Sequence, residues 1–130
     1  MNYQNGMSVL VAIHDKHLRE TFQTTLENDG FEVVVTGTGE DTLRALDIEK
    51  TFEIVYLDLR ISKNDCWSTL NSMKNLALRE KTKKLIILVD GPTEHLRDDE
   101  LRRYGIDDMY TKTDFDPGSL ITRSHLYADK

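Results

Sequence analysis

Short apolar runs with no polar interruption constrain this chain most. Residues 8–13 read Ser-Val-Leu-Val-Ala-Ile, 54–57 read Ile-Val-Tyr-Leu, and 85–89 read Leu-Ile-Ile-Leu-Val. A run of this length that does not alternate with polar residues marks a strand buried on both faces. Two further segments fit the same role, Phe31 to Thr36 and the shorter Met109 to Thr111. Stretches with helical spacing lie between them. Leu18, Phe22, Thr25 and Leu26 make 16–28 an amphipathic helix, with Asp15 as N-cap and Asp29-Gly30 as its stop. Helices are also expected over 40–48 with Leu43 and Leu46 inward, and over 67–78 with Leu70, Met73 and Leu76 or Ala77 inward. The charged stretch 93–104 reads as a helix with a thin stripe of Leu96 and Leu101. Asp116-Pro117 opens a last helix to about Tyr127, with Leu120 and Ile121 inward. Residues 79–84 read as a charged, solvated turn.

Five strands alternating with five helices predict an α/β fold. It is a doubly wound, five-stranded parallel sheet in the flavodoxin-like order 2-1-3-4-5, a three-layer sandwich. Residues 1–130 are expected to form one domain with 1–7 as a polar lead-in, since 130 residues suffice for a proper core. A net charge of −6 disfavours direct nucleic-acid binding through a basic field. No run approaches the ~20 apolar residues that span a bilayer, and the N-terminus lacks a signal-peptide pattern, so no membrane role and a cytoplasmic location are expected. The single cysteine, Cys66, excludes an internal disulfide and a cysteine-built zinc site. Gly37-Thr38-Gly39 after the second strand is a partial dinucleotide fingerprint, discounted because Thr42 replaces the third glycine and the first strand does not carry it.

In an open α/β sheet, chemistry sits beyond the carboxyl ends of the strands. Asp58 ends the third strand there, His14 and Asp15 follow the first, and Lys112 follows the fifth. Asp58 alone is as readily a turn-starting acid. An acid cluster beside a lysine at the switch point, however, suits phosphoryl or metal chemistry. A carboxylate can attack a phosphoryl donor, and a cation offsets the charge of the transferred group.

The text from Ser8 to Tyr127 resembles the receiver domain of bacterial response regulators. The matching segments are 26–33 (Leu-Glu-Asn-Asp-Gly-Phe-Glu-Val), 39–43, 57–61 with Asp65 beyond, and 104–108 leading to Lys112. The resemblance implies Asp58 as phosphoacceptor, Lys112 on the phosphoryl group, and a magnesium ion held by two acids after the first strand. Here those two positions are Ile13 and His14, and Asp15 matches only a third, more variable acid, which makes it the acidic-pocket candidate. Isoleucine offers no ligand and histidine suits softer metals than magnesium. Asp58 and Asp15 remain as the carboxylates a metal could use, so magnesium is expected to bind weakly or not at all. Val89 replaces the hydroxyl residue that would bond the phosphoryl oxygen, and Met109 replaces the aromatic switch residue. Tyr110, one residue on, should face the other side of the strand. Arg60, Ser62 and Thr113 are further departures.

The sequence therefore reads as an atypical receiver, with two functions open. One is a two-component phosphorelay switch modified on Asp58. The other is a pseudo-receiver, a phosphorylation-independent interaction module using the face of the fourth and fifth strands and helices. A hydrolase is disfavoured, because Arg60 stands where such enzymes carry a second acid, and no enzyme activity is expected. The partners implied are a histidine kinase or other signalling protein, a downstream effector protein, and a second copy of the chain as a homodimer. With no output domain after Lys130, the sequence reads as a stand-alone receiver or as part of something longer.

Overall fold

The computed structural model describes residues 7–48, 51–61, 66–91 and 97–128. Within them five strands alternate with five α-helices: β1 (Ser8–Ala12), α1 (Lys16–Asn28), β2 (Glu32–Thr36), α2 (Gly39–Asp47), β3 (Phe52–Asp58), α3 (Trp67–Asn75), β4 (Thr82–Val89), α4 (Asp98–Tyr104), β5 (Asp108–Thr111) and α5 (Pro117–Ala128). All pairings are parallel, in the order β2-β1-β3-β4-β5. This is the doubly wound sheet the alternation predicts. Among the described residues no helix is long and apolar enough to cross a membrane.

The central strands are buried on both faces, so their alternate residues feed two cores. On β3, Val55 and Leu57 join Leu46 of α2 and Leu70 and Met73 of α3. Ile54 and Tyr56 point the other way, to Phe22 and Leu26 of α1 and Leu120 of α5. The second core holds a buried polar link, in which the Tyr56 hydroxyl and Ser124 Oγ lie 2.6 Å apart. That bond meets the polar demand of two groups that water cannot reach. Tyr110 of β5 also faces this side, and Met109 packs against the first core, as strand alternation requires.

Helix ends follow the cap chemistry. Asp15 accepts a hydrogen bond from the Leu18 N–H at 2.8 Å, and Gly30 (φ 97°) follows the end of α1 in a conformation that suits glycine. Thr38 caps α2 through Oγ1 to the Asp41 N–H at 3.1 Å, so the Gly-Thr-Gly segment is a helix start. Asp116 bonds the Gly118 N–H at 3.0 Å at the start of α5.

Three boundaries differ from the sequence reading. α3 stops at Asn75, because Ala77 adopts a left-handed conformation (φ 57°) that breaks the helix. Leu76 and Ala77 are therefore exposed rather than inward, and Leu78, in a 3-10 turn over Leu78–Lys81, takes the buried place. β4 begins at Thr82, which turns part of the presumed charged turn into strand. Arg79 is no solvated side chain either. It donates to the carbonyls of Thr82 and Gly105 and pairs with Asp107, tying the turn to the end of α4. α4 begins only at Asp98, and Leu96, expected on its inner face, lies outside the described residues.

Candidate functional site

Asp58 is the last residue of β3, in register with Leu88 of β4. Its backbone carbonyl accepts from the Ile61 N–H at 3.0 Å, and its own Oδ1 accepts from the Arg60 N–H at 2.9 Å. This is the local turn an aspartate favours, its side chain bonding the backbone two residues on. From β1, the His14 N–H reaches Asp58 Oδ2 at 3.0 Å. From the far side, Lys112, which starts a 3-10 turn after β5, brings Nζ to 2.5 Å from Oδ1. The carboxylate is buried, with a side chain only 1% exposed. A buried charge must be paired and hydrogen-bonded. Two amides and one ammonium supply that here.

The pair extends outward. Lys112 Nζ also lies 2.8 Å from Asp90 Oδ1, and Arg60 Nε lies 2.9 Å from Asp90 Oδ2. Asp58, Lys112, Asp90 and Arg60 thus form a chain of alternating charge across the ends of β3, β4 and β5. Burial opposes the charge on Lys112, but hydrogen bonds to Asp58 and Asp90 outweigh it and raise its pKa above the usual lysine value. The hydrogen bonds from Arg60 and then Lys112 hold the Asp90 carboxyl below the usual range, against a smaller opposing effect of burial.

The other sequence candidates fall as follows. Ile13 is fully buried among the α1 and α5 side chains and gives the site only its carbonyl, which accepts from Arg19 Nη1 at 2.9 Å. His14 contributes its backbone N–H to Asp58, while its ring is exposed. Asp15 is not brought to Asp58: among the described residues no bond joins the two, and its Oδ2 is committed to capping α1. The N-cap role expected of Asp15 is thus observed. Val89 is buried in the first core beside the half-buried Met109. The segment 62–65, with Ser62 and Asp65, lies outside the described residues.

Sequence reasoning missed Asp90 and Arg19. Asp90 was given no role, although its place one residue past Val89, the end of β4, marks it as a strand-end acid. Arg19 lies on α1 and carried no assignment from the sequence. Its guanidinium in fact closes the carboxyl end of β1, and a Cβ on Gly37 would come within 2.5 Å of Nη1, so the neighbouring strand end accommodates it. Glycine at 37 leaves that room.

The donors around Asp58 do not make a magnesium site. Both carboxylate oxygens already accept hydrogen bonds, Ile13 offers no side-chain ligand, and the Lys112 ammonium lies against Oδ1. Magnesium demands several oxygen ligands in near-octahedral geometry. Among the described residues no three His, Cys, Asp or Glu side chains gather to hold a metal.

No family model matches the sequence, and no curated protein does. Solved structures do match. A CheY-like response regulator receiver domain from Methanospirillum hungatei JF-1 superposes with a TM-score of 0.79 at 22% identity, covering 94% of each chain. The receiver domain of Francisella response regulator 1452 gives 0.76 at 24% identity over 95% of this chain and 97% of that one. The Thermotoga maritima response regulator DrrB, described as an OmpR/PhoB homologue, gives 0.69 at 26% identity over 95% of this chain and 52% of that one. The chain therefore spans about half the length of DrrB. The fold of this protein is that of the receiver domains of response regulators.

Proposed function

We propose that this chain is a receiver module of two-component signalling, with Asp58 as phosphoacceptor. The observation that carries this reading is the Asp58–Lys112 pair, held at 2.5 Å at the carboxyl edge of a receiver-type sheet. In the step proposed, an Asp58 carboxylate oxygen attacks phosphorus and forms the acyl phosphate. The bond from phosphorus to the donor, a phosphohistidine nitrogen of a kinase or the acyl oxygen of acetyl phosphate, breaks, and its electron pair leaves with the donor. The Lys112 ammonium stays protonated and offsets charge on the transferred group. The His14 and Arg60 amides orient the attacking carboxylate. A histidine kinase, or another signalling protein, supplies the group, and an effector protein reads the result. The chain turns over no substrate of its own.

The test is incubation with acetyl phosphate followed by intact-mass analysis. One phosphoryl group should add to the native chain and none to Asp58→Asn. Equal modification of both would overturn the assignment.

The pseudo-receiver reading has its own observation. Both Asp58 oxygens are occupied and the side chain is almost sealed, while Val89 offers no hydroxyl to a phosphoryl group. A native chain that stays unmodified by acetyl phosphate and by phosphorylated kinases, yet binds its effector, would favour that reading.

A further inference from the structure

The Asp90 carboxylate engages Lys112, the cation paired with Asp58, and also the Arg60 guanidinium. Lys112 bridges the two acids, with Nζ at 2.5 Å from Asp58 Oδ1 and 2.8 Å from Asp90 Oδ1. Arg60 holds the other Asp90 oxygen at 2.9 Å. The guanidinium and the ammonium therefore already grip an oxyanion, and that oxyanion belongs to the protein. We infer that Asp90 is a resident stand-in for the phosphoryl group. The seat formed by Arg60 and Lys112 takes an exogenous tetrahedral oxyanion, or its fluoride mimic, when the Asp90 carboxylate swings out. This inference rests on the receiver reading for its biological use, although the seat itself is a matter of geometry.

Charge balance supports it. Asp58, Asp90, Lys112 and Arg60 together are neutral. Phosphorylation of Asp58 replaces its single charge with a group carrying about −1.5 to −2 at pH 7. Two cations balance that group only if Asp90 withdraws. The withdrawal is sterically open, because the Asp90 and Arg60 side chains are 46% and 51% exposed. The two ion pairs it gives up are solvated on the Asp90 side, and such pairs contribute little to stability. Arg60 then meets the newcomer with the planar, two-pronged geometry that suits phosphoryl oxygens. Arginine and lysine would thus provide the charge compensation that this donor set does not arrange through magnesium.

Beryllofluoride titration in the presence of a chelator tests this, read by the backbone amide shifts of His14 and of residue 60. The chains to compare are native, D90N, and the double variant D90N/R60A. Asparagine keeps the volume of aspartate at an exposed position, so the fold is not at stake. D90N should bind at least tenfold more tightly than the native chain, and the gain should vanish in D90N/R60A. Affinity in D90N no greater than native, or a gain that survives removal of Arg60, would overturn the inference. The two readings fail separately. If acetyl phosphate never modifies Asp58 but D90N still gains affinity through Arg60, the phosphoacceptor proposal falls and the seat stands. If Asp58 is modified but native and D90N bind the mimic alike, the seat falls and the phosphoacceptor stands.

Discussion

Replacing Lys112 with methionine isolates the interaction on which the site depends. Methionine keeps most of the aliphatic length and removes the ammonium. The Asp58 carboxylate, 1% exposed, then retains only the His14 and Arg60 amides. Stranding one member of a buried ion pair typically costs about 3–5 kcal/mol. The two remaining hydrogen bonds and the partial exposure of Lys112, whose side chain is 16% accessible, reduce this to roughly 2–3 kcal/mol. Asp90 adds little to the loss, because it is half exposed and keeps Arg60. Asp58→Asn should cost about 2 kcal/mol, since its NH2 is a donor and cannot replace the oxygen that accepts from one of the two backbone N–H groups. In Asp58→Asn/Lys112→Met the stranded charge is gone, so the double variant should be less destabilised than the sum of the singles by about 2 kcal/mol. Urea unfolding followed by circular dichroism measures all four corners of the cycle. Lys112→Met alone should lower the midpoint by roughly 1 M, at a slope near 2 kcal/mol/M. A coupling below about 0.5 kcal/mol would refute the account. The pH dependence gives a second check. Lys112 has a raised folded pKa, so its contribution is fully present below the unfolded value near 10.5 and is lost as pH rises through the higher folded value. The gap between native and Lys112→Met should therefore hold up to about pH 10.5 and narrow only above it.

Three other outcomes are expected. Magnesium titration monitored by amide shifts should give a dissociation constant weaker than millimolar, and a submillimolar value would contradict the donor analysis. Beryllofluoride should shift amides across the β4–β5 face only slightly in the native chain and more in Val89→Thr, where a hydroxyl could bond the mimic; large native shifts would defeat this expectation. Tyr56→Phe leaves Ser124 Oγ buried without its partner and should cost about 1–3 kcal/mol in urea unfolding. A loss under about 0.5 kcal/mol would show that the hydroxyl link is not needed.

The sheet was legible because its central strands β1, β3 and β4 are apolar runs, with charged residues at the ends of β3 and β4, Asp58 and Asp90. Asp58 and Lys112 stood out for the same reason, as charges placed at strand ends. The errors arose where neighbours decide the outcome. Nothing in Leu76-Ala77 announces a left-handed residue, and propensity alone would continue the helix through both. Lys83 and Lys84 resemble a solvated turn, yet β3 supplies partners for their backbone, and Glu53 meets the Lys83 ammonium at 3.0 Å. Asp90 and Arg19 were passed over because periodicity does not report which way a side chain turns once the strand or helix ends. That direction is set by what the adjoining strands present, here Lys112 and Arg60 for one and the carbonyls of Ile13 and His14 for the other.

The groups that hold Asp58 come from widely separated parts of the chain: His14 near its start, Arg60 beside it, and Lys112 near its end. During synthesis the ribosome releases β1, α1 and β3 well before Lys112 emerges. A nascent chain that has paired β1 with β3 can offer Asp58 both amides, but no cation. Its carboxylate must stay hydrated until β5 docks on β4, which keeps that edge of the young sheet open to water. Closure of the site is thereby coupled to the last strand added, and in pulse-labelled hydrogen exchange the His14 amide should gain full protection together with the β5 amides rather than with β1.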